Sequence, residues 1–145
     1  PLGEIRGQIG PFRMKSELSP LNVVPRATNT GSANGSFTLN FNASQTEIVT
    51  TLTGNSLVSN PTSANIKIGE SGEVGNILFN LSRGENIPTL NVYARLSISN
   101  LSSDAISAGI NNFVDVVRLI ERQSSYVEIN TFNHATGVLR GQISQ

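Results

Sequence analysis

The side chains that most often carry out chemistry are rare in this sequence. None of its 145 residues is a cysteine, one is a histidine, His134, and two are aspartates, Asp104 and Asp115. The lack of cysteine excludes disulfides, thiolate metal sites and a cysteine nucleophile. A single imidazole is too few for a histidine-based zinc or copper centre. We interpret His134 as an exposed loop residue and both aspartates as helix caps or solvated positions, so we predict no enzymatic activity and no cofactor.

A glycine-rich segment, residues 69–75, carries two of the eight glutamates, Glu70 and Glu73. Calcium loops alternate Asp and Asn ligands at a fixed spacing. This segment is sparser, so a flexible turn is the favoured interpretation and a calcium loop is the alternative. Two arginines, Arg6 and Arg140, lie inside strand-like runs. We expect each of them to lie over a sheet face and to pair with a carboxylate.

The overall composition excludes several classes of partner. Ten basic and ten acidic residues give a net charge of zero, which offers no electrostatic footprint for nucleic acid or an anionic membrane. No apolar run approaches the ~20 residues that span a bilayer. Asn, Ser and Thr together number 46, a composition common on secreted and surface-assembled β proteins. With neither an initiator methionine nor a signal peptide, we expect a processed product or an excised segment.

The elements that must position these residues are mostly strands. Apolar and polar residues alternate with period two in several short runs, which are bounded by Gly, Asn, Pro or Ser: 37–41, 64–68, 77–81 and 92–96, with further β-branched runs at 46–53 and 126–131. This pattern predicts an all-β fold, an antiparallel β-sandwich of eight or nine strands, Greek-key and either immunoglobulin-like or superoxide-dismutase-like. Residues 111–123 have helical spacing instead and predict one short amphipathic helix, capped by Asn111 or Asn112. A shorter helical turn is expected at 102–104.

One seven-residue run occurs twice. Residues 3–9 read Gly-Glu-Ile-Arg-Gly-Gln-Ile and residues 137–143 read Gly-Val-Leu-Arg-Gly-Gln-Ile, with five of seven positions identical. We therefore predict an assembly strand and an equivalent closing strand. The assembly strand consists of Glu4, Ile5, Arg6, Gly7, Gln8 and Ile9, and the closing strand of Val138, Leu139, Arg140, Gly141, Gln142 and Ile143.

The C-terminal part of the sequence resembles a known family. The run 126–131, Tyr-Val-Glu-Ile-Asn-Thr, followed by 137–143, resembles the closing signature of the chordin-type (CHRD) domain, roughly Y-V-N-V-H-T and then G-E-I-R-G-Q-I. Residues 22–25 and 35–39 resemble its opening pattern, and the resemblance covers about residues 12–143. It implies a secreted, all-β extracellular module of the bacterial or exported type, with the closing strand duplicated at the N-terminus.

The sequence departs from this family where relatives often carry histidines. The resemblance places an H-x-H element at Asn65 and Lys67, and the histidine of Y-V-N-V-H-T at Asn130. Amide and ammonium side chains form a poor transition-metal site. We therefore expect no metal to be required for folding or function.

Two hypotheses for the function remain open. In the first, the chain is a non-enzymatic structural subunit that self-assembles into a fibre or layer on a cell or spore surface, with residues 1–11 added as a strand to a neighbour of the 12–145 domain. In the second, it is one repeat of a secreted multi-domain module that recognises a protein or glycan. The expected partner is the chain itself, as a homopolymer or tandem repeat, or such a ligand, with neither nucleic acid nor membrane insertion.

Overall fold

Two antiparallel sheets form the framework of the computed structural model, which describes residues 13–82 and 89–145. The strands are β1 Arg13–Leu18, β2 Asn34–Phe41, β3 Ile48–Asn55, β4 Pro61–Ile68, β5 Ile77–Ser82, β6 Leu90–Leu96, β7 Ser125–Thr131 and β8 His134–Gln142. The first sheet has the order β1-β2-β3-β6 and the second has the order β5-β4-β7-β8. The predicted all-β sandwich is confirmed, with eight strands in the described residues.

The connections make the sandwich a Greek key. The chain leaves the first sheet after β3, forms β4 and β5 in the second sheet, and returns as β6 to pair with β3. In the immunoglobulin order the third strand lies in the second sheet, whereas here it stays beside β2. Of the two variants expected from the sequence, the strand order therefore favours the superoxide-dismutase-like one.

Alternation places the apolar side chains between the sheets. Strand β2 follows the expected pattern, with Phe37, Leu39 and Phe41 at most 1% exposed. The two sheets meet closely, since a Cβ added to Gly54 of β3 would lie 2.9 Å from Cδ1 of Ile129 in β7. Burial of this apolar area supplies the main favourable term for folding.

Two α-helices lie between β6 and β7: α1 Ser103–Ser107 and α2 Phe113–Glu121. The side chain of Asn112 accepts a hydrogen bond from the backbone of Asp115 and caps α2 as predicted. The buried face of α2, with Val116 and Ile120 fully buried, joins the core cluster. Within the described residues no helix is both long and apolar enough to cross a bilayer.

The closing strand β8 is held on both sides. Strand β7 pairs with it in the sheet, and β1 closes over its other edge through isolated bridges. The backbones of Ser19 and Arg140 exchange hydrogen bonds of 3.0 and 3.2 Å, and those of Lys15 and Ser144 exchange bonds of 2.7 and 2.9 Å. The edges of the two sheets are thereby joined on this side of the sandwich.

Candidate functional site

The side chain of Arg140 is almost completely buried, with 1% of the residue exposed. Its guanidinium carbon lies 3.5 Å from the centroid of the Tyr126 ring, a cation–π contact. The two terminal nitrogens donate to the main-chain carbonyls of Glu73 and Glu70, the latter at 2.9 Å. Among the described residues its partners are thus carbonyl oxygens and an aromatic face, and not the carboxylate that the sequence led us to expect.

These contacts fix the glycine-rich segment that we call the 69–75 loop. Besides the two bonds from Arg140, the amide of Gly75 donates to the Tyr126 hydroxyl at 3.1 Å, and Nε2 of Gln142 donates to the carbonyl of Gly69 at 2.8 Å. The sequence led us to expect a flexible turn, but this loop is hydrogen-bonded to three strand side chains, those of Arg140, Tyr126 and Gln142. An Oε1 atom of Glu73 also accepts the Glu70 amide at 3.0 Å, so one carboxylate closes the loop from within.

Two glycines of the closing signature are required by close approach. A Cβ on Gly141 would lie 2.1 Å from Oγ of Ser16 and 2.6 Å from the carbonyl oxygen of Glu17, because β1 crosses over β8 at this point. Gly137 has φ +121°, which side chains rarely adopt, and its Cβ would lie 2.9 Å from Oε2 of Glu128. Contacts inside the domain therefore dictate the residue type at both positions.

The three positions that the resemblance equates with histidines of the family come together on one face of the second sheet. Asn65 lies opposite Glu128 in the β4–β7 register, and Asn130 lies two residues further along β7. Lys67 donates to Oε1 of Glu128 at 2.9 Å, with 17% and 5% of the two side chains exposed. In the part of the chain that the structure describes, the side-chain oxygens of Asn65 and Asn130 are buried without a hydrogen-bond partner.

This face does not fit a transition metal. Its donors are two amides and a carboxylate whose Oε1 atom already accepts from an ammonium group, and such a set lacks the imidazole or thiolate ligands that these metals prefer. No group of three or more His, Cys, Asp or Glu side chains that could hold a metal ion occurs within residues 13–82 and 89–145. The calcium alternative for the 69–75 loop gains no support from its observed contacts.

The other candidate chemical residues are used structurally. His134 is half-buried at the start of β8, not on an exposed loop, and its Nε2 lies 2.7 Å from the carbonyl oxygen of Thr28. Since a carbonyl only accepts, Nε2 is the donor in this contact. Asp104 and Asp115 lie in the first turns of α1 and α2, where a carboxylate complements the helix dipole. The structure does not bring these residues together.

A surface groove of about 410 Å³ lies between the α1–α2 turn and the end of β4. We call it the arginine groove. Ile68, Ile110 and Leu119 line it with apolar surface, and Arg118, Arg122 and Asp115 supply its charges. The sequence predicted an amphipathic helix over residues 111–123, which contains Arg118 and Arg122, but it did not predict a groove. Of its apolar lining only Leu119 lies on α2, whereas Ile68 and Ile110 come from outside that helix, so the helix pattern alone could not have revealed the groove.

An exposed aromatic ring lies just after the C-terminal end of β7. Phe132, in the two-residue turn between β7 and β8, is 79% exposed. The turn is held in place because the amide of Phe132 donates to the carbonyl of Asn60 and the amide of Asn133 donates to Oγ of Ser59, both at 2.9 Å. An aromatic ring is thus presented to solvent on a fixed backbone.

The two predicted strands have different outcomes. Residues Val138 to Gln142 of the closing strand lie in β8, and Ile143 follows with no exposure. The assembly strand, residues 4–9, lies outside the described residues, as does the whole of the proposed 1–11 segment.

Comparison with known proteins agrees with the signature. The family model for the CHRD domain matches residues 14–143. No curated protein matches the chain, and no solved structure matches it. CHRD domains are β-sandwich modules of the binding type that occur in secreted proteins. A match across nearly the whole length, on a sandwich whose closing signature is explained residue by residue, shows that the chain belongs to the CHRD domain family.

Proposed function

We propose that the chain is a non-catalytic unit of a secreted protein that carries CHRD domains in tandem, and that residues 3–9 are the closing strand of the preceding unit. Such an array displays binding modules at fixed spacing outside the cell. The proposal selects the repeat-module hypothesis over the fibre subunit.

The observation that carries this proposal is that each of the five residues shared by the two runs has a structural role in the described domain. The residues identical between 3–9 and 137–143 correspond to Gly137, Arg140, Gly141, Gln142 and Ile143. Each of these has a role inside its own domain that favours its residue type. Gly137 has a positive φ, Arg140 stacks on the Tyr126 ring, and Gly141 lies where β1 crosses β8. Gln142 donates a hydrogen bond to the 69–75 loop, and Ile143 is buried in the core. A second copy of the same five residues is best explained by a second domain that needs them for the same contacts.

Strand donation into this domain explains the duplication less well. The position that an Arg-Gly-Gln-Ile strand fits is already filled by β8, whose outer edge is bridged to β1. At a different edge, such as that of β6 in the described residues, Arg6 would not lie at Tyr126 and the carbonyls of Glu70 and Glu73 that receive Arg140. The duplicated residues would then be unexplained.

Fibre assembly by strand addition nevertheless remains a second candidate, because β6 offers an edge. Strand β6 pairs with β3 on one side, and no bridge to its other side is found among the described residues. Val92 and Ala94 on this strand are partly exposed. An open edge is a template for pairing with another chain, so this alternative needs a direct test.

A matched pair of substitutions distinguishes these proposals. If residues 3–9 belong to a preceding unit, Arg6 has no partner in this chain, so Arg6→Met leaves the urea midpoint unchanged while Arg140→Met lowers it. Deleting residues 1–11 then changes neither the midpoint nor the oligomeric state measured by light scattering. Loss of an assembly on deletion would instead establish strand addition, and a lower midpoint would place residues 3–9 in the chain's own sandwich.

A further inference from the structure

The arginine groove has an unbalanced charge. Arg118 and Arg122 are spaced four residues apart, at the end of α2 and just after it, so they lie on one helix face. Neither makes a side-chain hydrogen bond or an ion pair within the described residues. With Asp115 as the one acidic lining residue, the lining of the groove carries a net charge of +1, two positive charges less one negative. A fitting occupant therefore combines carboxylates with an apolar side chain.

The 69–75 loop of the same domain has this composition. It presents Glu70 and Glu73, followed at once by Val74, which is 67% exposed. Its backbone is fixed by the buried Arg140 through two carbonyls. A buried charged side chain thus holds an exposed acidic and apolar loop in one shape, which lowers the entropy lost when the loop docks.

We propose that the 69–75 loop of one copy docks into the arginine groove of a second copy. Loop and groove are neighbours in one molecule, since Ile68 lines the groove and the amide of Gly69 donates to the carbonyl of Ser124 just after α2. Two copies related by a twofold axis can therefore place each loop at the other's groove. The small area makes this a weak, reversible contact between units or chains.

A charge exchange tests the contact. The loop variant carries Glu70→Lys with Ser71→Lys, which leaves the Glu73 bond and Val74 intact. The groove variant carries Arg118→Glu with Arg122→Glu. In either variant alone, loop and groove have the same sign of charge, so self-association measured by sedimentation falls about tenfold or more. An equimolar mixture of the two variants restores opposite signs at both contacts and recovers the wild-type affinity to within about threefold.

Controls separate docking from general charge effects. Lys15→Glu with Arg26→Glu changes the net charge as much as the groove variant does, at exposed cations that do not line the groove, and should leave association unchanged at matched ionic strength. Val74→Asp tests the apolar part of the loop and should weaken association as the loop variant does. Circular dichroism melts verify that each variant is folded.

Three results would overturn the proposal: wild-type protein that stays monomeric up to millimolar concentration, a groove variant that associates like wild type, or a mixture that does not regain affinity. The contact uses no residue of the 1–11 segment. Its failure therefore leaves the tandem-repeat proposal standing, and a lower urea midpoint of Arg6→Met would refute the tandem-repeat proposal without affecting this one.

Discussion

Replacing Arg140 with methionine measures the strength of the most informative contact in the domain. Methionine keeps most of the length and the apolar packing over Tyr126 but removes the charge and both hydrogen bonds. Each charge-assisted bond is worth about 1.5–3 kcal/mol, and a desolvated cation–π contact adds about 2 kcal/mol. Against this, the variant no longer buries a charge that has no carboxylate partner among the described residues, which returns part of the loss.

The expected net effect is a loss of about 2–4 kcal/mol in the free energy of unfolding. Water can replace part of the lost bonding, because Glu70 and Glu73 lie in an exposed loop, and this favours the lower part of the range. Since a typical domain is stable by only about 5–15 kcal/mol, the variant should fold but be clearly weakened. With a urea m-value of about 2 kcal/mol/M, the midpoint falls by roughly 1–2 M.

Equilibrium urea unfolding at neutral pH gives the first measurement, and an unchanged m-value shows that the folded state is preserved. Hydrogen exchange gives the second. The amide of Gly75, which donates to the Tyr126 hydroxyl, should lose protection in the variant well before the amides of β7 do. Arg95→Met is the matched control, because Arg95 is exposed and pairs with the partly exposed Glu47, so its midpoint should not move.

A methionine variant as stable as wild type would refute the reasoning. It would show that the cost of burying the guanidinium equals or exceeds everything that the arginine contributes. Continued protection of Gly75 would also refute the reasoning, because the loop would then not depend on the contacts of Arg140.

Two further predictions concern the same sheet. Gly141→Ala should lower stability by about 1–3 kcal/mol, since its Cβ would overlap Oγ of Ser16 and approach the carbonyl of Glu17; a thermal melt measures the loss, and an unchanged melting temperature would mean that β1 moves aside freely. Lys67→Met or Glu128→Leu alone should each cost about 2–4 kcal/mol because a buried charge is left unpaired, whereas the double variant should be nearly neutral. Urea titrations of all four proteins form the cycle, and additive single effects would contradict the buried pairing.

The strands were predictable where burial alternates along them. In β2, the inward residues Phe37, Leu39 and Phe41 differ from the outward ones in polarity as well as exposure, so the sequence pattern records the structure directly. Strand β1 has the same alternation of burial, but one of its three buried positions is Ser16. That serine lies where β1 crosses Gly141, and no bulky apolar residue would fit there. The strand was missed because its packing requires a small polar side chain.

The surroundings of Arg140 were not predictable by the same means. Strand β7 is buried on both faces, although Tyr126 and Glu128 are polar or charged, and alternation then predicts a solvated outer face. The partners of the arginine are main-chain carbonyls about 70 residues away in sequence. Carbonyls are present at every residue, so no pattern of side chains marks the ones that will be used. The seven-residue repeat identified the strand, but its contacts needed the fold.

The same buried arginine connects the stability of the domain to the surface that it presents. Arg140 directs both hydrogen bonds to the main chain of an exposed loop and not to the core. A loop that merely joins β4 to β5 needs no such attachment, because water can satisfy its carbonyls. A loop that must meet a partner gains from it, since each side chain left to be ordered on docking costs about 0.5–1.5 kcal/mol. The arginine of the closing signature therefore has two consequences: it ties the edge strand to the sheet, and it fixes the shape of the acidic loop that we propose docks on a second copy.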